Sequence, residues 1–315
     1  MRGTSTLVLV VGLVLVAIGG AWIVLQHSSG AQPWGPLLSD NVLFAKSLPF
    51  LIGLGILLGL AQALGGNGFR AERRGERVRR FSVATALSHW TMTLGFLLAF
   101  ATGLTEYLKG VLDVPPPLPS YILYRVHYIG ASLVVLTASS LATSWLLSGD
   151  RRLLPDLKRF ARELRGLAAE LPRPLGSVVA GFFGLSMRRP APPVGQFTSY
   201  ERLVSFPIWV VLVGLIVLTG LVKAMRYLFP IPGELVSVAS VVHVATMVML
   251  AAKLLDHLRY VLSPSRWPLF VAMVTTWMGV KYARARHPGW AIGDEALAAE
   301  PSLASKVVAE PADAH

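Results

Sequence analysis

Long apolar segments alternate with polar connections along most of the chain. Six of the apolar segments are long enough to cross a bilayer as helices, because the hydrocarbon core requires about 20 apolar residues. The predicted spans are Leu7–Leu25, Ser47–Gly65, Val83–Leu104, Tyr121–Leu147, Leu203–Val222 and Leu235–Tyr260. The pattern predicts an all-α membrane protein, with two N-terminal transmembrane helices in residues 1–66 and a four-helix bundle in residues 67–262.

The first span has some features of a signal peptide. Ser29, Gly30 and Ala31 follow it and resemble a small-residue cleavage site. Its 19 apolar or glycine residues are nevertheless long for the hydrophobic region of such a peptide. We therefore interpret this segment as a retained helix.

The polar connections lead to three further predictions. Residues 148–200 form a long loop, in which Leu153–Leu171 is predicted to be a short amphipathic helix on the membrane surface. Leu269–Val280 has only 12 residues and is too short to cross, so residues 263–292 are predicted to contain an interfacial amphipathic helix. Residues 293–315 are rich in Ala and Glu and are predicted to be disordered.

Composition and charge agree with a membrane protein and predict its orientation. Of the 315 residues 54% are hydrophobic, the mean hydropathy is +0.58, and the net charge is +12. Residues 66–82, 148–200 and 259–290 hold six, nine and five Lys or Arg, whereas the alternate segments hold four in all. Because basic loops stay in the cytoplasm, these three segments and both chain ends are predicted to be cytoplasmic. This distribution of Lys and Arg among the loops indicates the orientation of the chain in the membrane rather than a nucleic-acid-binding surface.

The chain has no cysteine. This excludes covalent attachment of haem through CxxCH, iron–sulfur clusters held by cysteine, thiolate chemistry and disulfides. A redox function would therefore depend on non-covalent cofactors held by His or Met.

Four histidines lie within the predicted spans: His89, His127, His243 and His257. His243 and His257 are 14 residues apart, so their rings share a helix face and lie about 21 Å apart along the axis. Rings that far apart cannot bind one metal ion, and each needs a partner near one side of the membrane. The topology places His89 at the depth of His257 and His127 at the depth of His243, which predicts these two pairs.

Two apposed histidines in an apolar bundle suit haem better than zinc. Zinc usually takes four ligands, often Cys, Asp or Glu, and of these residue types only Asp256 lies at the right depths. Haem needs two axial ligands and an apolar slot, which glycines on helix surfaces can provide. The candidate glycines are Gly95, Gly103, Gly130, Gly214 and Gly220. The alternatives are that each glycine packs helices and that a single histidine is a hydrogen-bonded core residue.

Two helix pairs share a short internal sequence repeat. The third span contains GFLLAFATGL and the fifth contains GLIVLTGL, each with Thr-Gly-Leu near the predicted outer end. Gly103 precedes His127 by 24 residues, and Gly220 precedes His243 by 23. This repeat indicates an ancient duplication of a two-helix hairpin, although neither His89 nor His257 has a counterpart in the other helix pair.

The segments around the four histidines resemble the di-haem cytochrome b (gamma) subunit of membrane-bound formate dehydrogenases. That family belongs to the wider group of b-type cytochrome membrane anchors of respiratory oxidoreductases. The resemblance covers roughly residues 78–290 and includes RVRRFSVATALSHW, YRVHYIG, VVHVATM and LLDHLRY, with GQFTSYERLVSFPIW and RARHPGW outside the histidine segments.

The resemblance implies a mechanism. In that family the four matching histidines are the axial ligands of two b haems, paired as His89 with His257 and His127 with His243. A molybdenum or tungsten subunit oxidises formate, and an iron–sulfur subunit relays electrons to the outer haem. The inner haem reduces a quinone, menaquinone or ubiquinone, near the cytoplasmic side. The chain is thus expected to be an electron-transfer subunit of the prokaryotic inner membrane.

The chain departs from the family at the quinone pocket. Where the family has Tyr-Asn-Ala-Gly-Gln, residues 197–201 read Phe-Thr-Ser-Tyr-Glu, so Thr198 takes the Asn position. Glu201 and Arg202 are further candidates for this pocket. The two N-terminal spans are additional to the family's usual four helices, and we expect them to contact an additional membrane subunit.

Charged residues near the histidines are candidates for cofactor contacts. Lys253 shares a helix face with His257 and is expected to contact a haem propionate or a quinone, or else to extend to the membrane interface. Asp256 is a candidate for the quinone pocket, or else an ion-pair partner of Lys253 or Arg259. Arg125 is a candidate partner for a propionate of the outer haem, or else an interface anchor.

Three other functions were weighed against this interpretation. A cytochrome b anchor of a hydrogenase or thiosulfate reductase shares much of the helix pattern, and a copurifying partner would distinguish it. A proton-relay transporter would show broken helices and acidic residues at mid-membrane, which the pattern lacks. A purely structural anchor would leave four intramembrane histidines unexplained. The remaining histidines, His27, His287 and His315, lie outside the spans and are assigned no cofactor role.

Overall fold

The computed structural model describes residues 10–19, 39–65, 71–185 and 191–292, together with Leu7 and Ala21. The helices in this part of the chain are α1 (Val10–Gly19), α2 (Ser39–Gly65), α3 (Val83–Leu112), α4 (Ser120–Ser148), α5 (Phe160–Glu170), α6 (Arg173–Phe182), α7 (Phe206–Met225), α8 (Gly233–Val261), α9 (Trp267–Thr275) and α10 (Val280–Arg286). Five of them (α2, α3, α4, α7 and α8) are long and apolar enough to cross a membrane. The protein is a mostly helical, multi-pass membrane protein.

Five of the six predicted spans are found as long helices with shifted ends. α2 begins at Ser39, before the predicted Ser47. α3 continues to Leu112 rather than ending at Leu104, because no residue that breaks a helix occurs before the prolines that begin at Pro115. The first predicted span is helical over α1, and the rest of it lies largely outside the described residues, as do His27, His315 and the predicted disordered tail.

The chain divides into two compact units. The first comprises the described helices α1 to α4, α7 and α8. The second is built from residues 70–82, 154–203 and the described residues that follow Arg266. It therefore draws on segments from both sides of the predicted boundary at residue 262.

Glycines bring α2 and α4 into close contact in the first unit. A Cβ atom at Gly55 would lie 2.5 Å from the carbonyl oxygen of Leu136, and one at Gly59 would lie 2.3 Å from that of Ser140. The four-residue spacing places both glycines on one helix face, which lets backbones approach closely in lipid. α2 is therefore packed into the same bundle as α4.

The neighbouring pair α3 and α4 is also in backbone contact. A Cβ atom at Gly95 would lie 2.9 Å from the carbonyl oxygen of Gly130, and one at Gly130 would lie 2.6 Å from the nitrogen of Ala99. These two glycines pack helices, which is the simpler of the two roles considered for them. At Gly214 an added Cβ atom would meet nothing within 4 Å.

The second unit contains a small antiparallel sheet that the sequence pattern did not predict. The strands β1 (Arg73–Arg74), β2 (Arg77–Arg79) and β3 (Trp277–Gly279) pair in that order, with Val78 opposite Met278. Gly75 has a φ of 56° in the turn between β1 and β2, a conformation that glycine adopts without strain. The sheet joins two segments separated by about 200 residues of sequence, which periodicity cannot reveal.

The predicted interfacial helix over Leu269–Val280 is wrong in its extent. α9 ends at Thr275, Thr276 has a positive φ of 68°, and the chain then forms β3 before α10 begins. Ala272, Met278 and Val280 of this segment belong to a buried core, whereas Val271 and Val274 on α9 are exposed. The buried members of the core are Val78, Ala272, Met278, Val280, Ala283, Trp290 and Ile292.

Helix α5 lies within the predicted Leu153–Leu171 segment, but its apolar side is not available to a membrane surface. Leu164, Leu167 and Ala168 are buried in the structure. α5 packs against α6, where a Cβ atom at Gly176 would lie 2.2 Å from the carbonyl oxygen of Ala168.

Candidate functional site

The ring of His127 on α4 is held by the preceding helix, α3. Its Nδ1 atom lies 2.9 Å from the carbonyl oxygen of Ala99 and 3.2 Å from Oγ1 of Thr102. A carbonyl oxygen only accepts hydrogen bonds, so Nδ1 carries the proton. The Nε2 atom then has a lone pair, which is the form of histidine that binds a metal.

The ring of His243 on α8 is held by α7 in the same way. Its Nδ1 atom lies 2.9 Å from Oγ1 of Thr219, and that hydroxyl donates to the carbonyl oxygen of Leu215 at 2.6 Å. The Thr219 oxygen must therefore accept from Nδ1, which again leaves the lone pair on Nε2.

The glycines of the repeated Thr-Gly sequence lie directly beside the two rings. A Cβ atom at Gly103 would be 3.3 Å from Cε1 of His127, and one at Gly220 would be 3.4 Å from Cε1 of His243. Any larger residue would press on the ring. The internal sequence repeat thus corresponds to two equivalent arrangements, in each of which a Thr-Gly pair contacts the ring of a histidine on the next helix.

The structure brings His127 and His243 together in the first unit. The two rings interact electrostatically, and the ammonium group of Lys223 on α7 interacts with both. Near them, the Cβ position of Gly103 lies 3.8 Å from Sδ of Met247 on α8. Lys223 is one of the four Lys or Arg in the segments between the basic loops. Its place in the last turn of α7 was the signal that could have identified it.

His89 on α3 and His257 on α8 form a second pair. Their ring centres are 6.3 Å apart, and Trp209 on α7 packs edge-on against His257 at 5.9 Å. Within the described residues, Nδ1 of His89 is buried and has no hydrogen-bond partner. The support for this pair thus comes from ring packing rather than from a threonine.

The two pairs have the donor set that haem iron requires. Among the described residues, no group of three or more His, Cys, Asp or Glu side chains is placed to hold a metal ion, which disfavours a zinc-type site. Each pair instead supplies two imidazoles, the number that iron in a b haem takes along its axis.

An apolar cleft runs along α3 and α8 at the level of His243. Its volume is about 650 Å³, and its lining is Tyr107, Ser240, Val241, Val244, Ala245 and Val248. None of the four histidines lines this cleft. The feature beside the rings that suits a flat apolar group is the pair of glycines, Gly103 and Gly220.

Lys253 and Asp256 form an ion pair one turn or less from His257. The Nζ atom of Lys253, a buried residue, lies 3.2 Å from one oxygen of Asp256, and Arg259 donates to the other oxygen at 2.9 Å. The ion pairs considered for Asp256 on the sequence are therefore present. Its assignment to a quinone pocket, and that of Lys253 to a propionate or quinone, remain predictions.

Arg125 donates through Nε to Asp40 of α2 at 2.8 Å and stacks over the ring of Tyr121. The ion pair connects the beginning of α4 with the first turn of α2. The assignment of Arg125 to a haem propionate remains a prediction.

Thr198 caps the helical segment that begins at Ser199, includes the π-helical turn Glu201–Ser205 and continues into α7. Its Oγ1 accepts from the backbone nitrogen of Glu201 at 3.0 Å, and its own nitrogen donates to Oε2 of Glu201 at 2.7 Å. This reciprocal pair is a capping box, and the Thr-x-x-Glu sequence was a local signal for it that sequence analysis did not use. The role of Thr198 in a quinone pocket remains a prediction.

Glu163 and Glu170 on α5 fix the same helix start. Glu170 accepts from the backbone nitrogens of Ser199 and Tyr200 at 2.9 and 2.8 Å, and Glu163 pairs with Arg202 at 2.8 Å. Burial raises the pKa of the Glu170 carboxyl, although these two hydrogen bonds oppose the shift. The contacts of Glu201 and Arg202 thus stabilise the second unit.

His287, which was assigned no cofactor role, is a buried structural residue of the second unit. Its Nδ1 donates to the carbonyl oxygen of Gly195 at 2.8 Å, and its Nε2 accepts from Arg80 at 3.1 Å. Burial and the nearby Arg80 charge lower the pKa of His287 from 6.5 to about 4. The side chain of Arg80 is buried among the rings of Phe81, Phe197 and Trp290. Phe81, Phe197 and Trp290 come from three of the segments that carry the family resemblance, so these segments meet at one buried arginine.

Comparison with known protein families identifies the family to which the membrane helices belong. A family model described as prokaryotic cytochrome b561 matches residues 80–276, more than half of the chain, and the match includes all four intramembrane histidines. No curated protein matches the chain.

Proposed function

The chain belongs to the prokaryotic cytochrome b561 family, and we propose that it is the di-haem membrane subunit of a respiratory oxidoreductase. Membership of this family makes it a membrane electron-transfer protein that uses haem b. The proposal adds that electrons pass between an iron–sulfur partner subunit and the quinone pool, as in a formate dehydrogenase complex. The observation that carries it is the presence of two separate histidine pairs along α8.

We assign His127 and His243 to the outer haem and His89 and His257 to the inner haem. A bound haem supplies a site that takes up and releases one electron at a time. The helices hold the four imidazoles at two depths, and their apolar side chains keep water from the rings. The two sites together provide a route for electrons through the first unit.

Thr102 and Thr219 are positioning residues at the outer site. Each donates its own proton to a carbonyl one turn earlier, at 2.7 and 2.6 Å. Each hydroxyl oxygen can then accept the Nδ1 proton of a histidine, so Nε2 stays available for iron. Partners of this kind fix the ring orientation and raise the basicity of the ligand.

We propose that the Lys253–Asp256 ion pair takes part in proton delivery to the quinone. Reduction of a quinone to a quinol consumes two electrons and two protons. Asp256 lies next to His257 in sequence and is held by Lys253 and Arg259, which places a carboxylate able to carry a proton beside the inner site. The basic loops support an orientation with this end of α8 in the cytoplasm.

The first test is the difference spectrum of the purified protein, reduced with dithionite minus oxidised, with haem quantified per chain. We expect two b haems, with one lost in His243→Ala and one in His257→Ala. His287→Gln is the matched control, because His287 is buried but bonds to Gly195 and Arg80; it should retain both haems. A single haem that persists in both alanine variants would contradict the paired-site assignment.

The partner is tested separately by mild solubilisation and pull-down from the native membrane. We expect an iron–sulfur subunit and a molybdenum or tungsten subunit that oxidises formate. Recovery of a hydrogenase or a thiosulfate reductase instead would retain the haem assignment and overturn the formate assignment.

A further inference from the structure

Helix α6 exposes its large apolar side chains and buries its small ones. Leu175, Val178 and Phe182 are 51%, 65% and 82% exposed, and their spacing places them on one face of the helix. Gly176 and Ala180 are buried on the other side. In a helix surrounded by water the opposite arrangement would be expected.

The inward face of α6 cannot accept a larger residue. A Cβ atom at Gly176 would lie 2.2 Å from the carbonyl oxygen of Ala168, so α5 and α6 approach at backbone distance. Rotation of α6 to bury Phe182 would bring a large ring into this contact. The exposed apolar face is therefore a consequence of how the two helices pack.

Exposed basic side chains occur on both helices of the α5–α6 hairpin and indicate which kind of surface covers the apolar face. Arg173 is exposed in the first turn of α6, and Arg159 and Arg162 are exposed around the start of α5. Residues 148–200 as a whole carry nine basic and four acidic residues. A hairpin that combines an exposed apolar face with exposed cations elsewhere on its surface has the composition of a segment that lies in an anionic lipid surface.

Chain connectivity keeps this hairpin close to a membrane. α4, a candidate membrane span, ends at Ser148, and α5 begins at Phe160. The intervening segment reaches at most about 40 Å when fully extended. The α5–α6 hairpin is thus tethered within reach of lipid headgroups.

We propose that α6 lies in the headgroup region of the bilayer, with Leu175, Val178 and Phe182 directed into the acyl boundary. Arg173 and the exposed arginines of α5 contact the phosphates of anionic lipids. Sequence analysis placed the α5 segment on the membrane surface, whereas the structure buries the apolar side of α5 and assigns this role to α6. The proposal does not depend on haem binding.

The absence of cysteine from the chain allows a direct test. Val178→Cys and Phe182→Cys are each labelled with a nitrobenzoxadiazole dye and placed in nanodiscs of phosphatidylcholine and phosphatidylglycerol. We expect blue-shifted emission that is quenched when the acyl chains are brominated. Ser177→Cys is the matched control, since Ser177 is exposed on the same helix but lies outside the apolar face; its emission should show neither effect. Retention of the native gel-filtration profile shows that a variant is folded.

A second measurement tests the charge component. Arg173→Glu should reduce the quenching at position 178 or 182 in discs that contain phosphatidylglycerol and change it little in discs of phosphatidylcholine alone. Blue-shifted emission that brominated lipid fails to quench would overturn the proposal and indicate a protein partner. Emission that depends on protein concentration would overturn it in favour of a second copy of the chain, and emission typical of water at both positions would also overturn it.

Discussion

Hydrogen bonds from the preceding helix determine which nitrogen of His127 and His243 keeps its lone pair. Nδ1 of His127 lies 2.9 Å from the Ala99 carbonyl oxygen and 3.2 Å from the Thr102 hydroxyl, and Nδ1 of His243 lies 2.9 Å from the Thr219 hydroxyl. Because Nδ1 and Nε2 of a neutral imidazole cannot both carry a proton, these contacts select the tautomer with a free Nε2.

Replacement of Thr219 by Val keeps the shape of the side chain and removes the acceptor for Nδ1. We expect Thr219→Val to weaken haem binding at the outer site by about 10- to 100-fold, as is typical when a partner of a metal-binding histidine is lost. The measurement is haem retained per chain during dilution into apomyoglobin. Thr137→Val is the control, because Thr137 is buried but bonds only to the Leu133 carbonyl. Equal haem loss from the two variants would contradict a positioning role.

Lys223 places a positive charge near both His127 and His243. A nearby cation destabilises ferric haem more than ferrous haem, because the ferric form carries one more positive charge. Lys223→Met should therefore lower the midpoint potential of the outer haem, by tens of millivolts on the order given by a partly screened Coulomb interaction. Potentiometric titration of the two haems measures the shift.

Lys109 provides the matched control for this experiment. It is an exposed lysine of α3 that donates to Ser120 at 2.8 Å. Lys109→Met should leave both potentials unchanged. A shift of the inner haem in place of the outer haem would contradict the assignment of Lys223 to the His127–His243 pair.

At the scale of helices, close backbone contacts determine which helices of the first unit pack against each other. α2 and α4 meet at Gly55 and Gly59, and α3 and α4 meet at Gly95 and Gly130. In lipid such contacts replace the hydrophobic driving force that operates in water. α4, which carries His127, is consequently packed between two neighbours, and one of them, α3, carries His89.

Enlargement of Gly59 should separate α2 from α4. In Gly59→Leu the new side chain would begin 2.3 Å from the Ser140 carbonyl oxygen, and overpacking of this kind costs about 1–3 kcal/mol. We expect a lower thermal denaturation temperature in detergent. Gly53→Leu is the control, since an added Cβ atom there meets nothing within 4 Å. Equal stability of the two variants would show that the α2–α4 contact contributes little.

At the scale of the whole molecule, the second unit depends on a neutral histidine. Its pKa in the folded protein is about 4, compared with an ordinary value of 6.5. Between these values the unfolded chain binds a proton that folded His287 does not bind, so stability falls as the pH is lowered from 6.5 to about 4. Above that window this contribution is constant. The shift corresponds to a loss of up to about 3 kcal/mol.

Hydrogen exchange followed by mass spectrometry measures this effect in the peptides around Gly195 and His287. We expect protection to decrease as the pH falls through the window, after correction for intrinsic exchange. His287→Gln, which cannot titrate, should remove the pH dependence. If the pH dependence persists in this variant, another group is responsible for it.

Local patterns in the sequence account for the membrane-spanning helices and for the depths of the four histidines. Span length depends on the thickness of the bilayer, and the shared face of His243 and His257 depends on the helical repeat. Both are properties of short, continuous segments. The rings of His89 and His257 lie 6.3 Å apart and His127 lies near His243, whereas the role of each pair as haem ligands remains a prediction.

Contacts between distant segments were decided only by the tertiary structure. The second unit joins β2, residues 191–203 and the segment after α8, which are separated from one another by membrane helices. A strand of three residues, a buried arginine and a neutral histidine have no periodic signal of their own. The sequence alone therefore determined the spans and the depths of the histidines, because these depend on local geometry. The tertiary structure decided the supports of the rings, the role of His287 and the exposed face of α6, because these depend on which segments pack together.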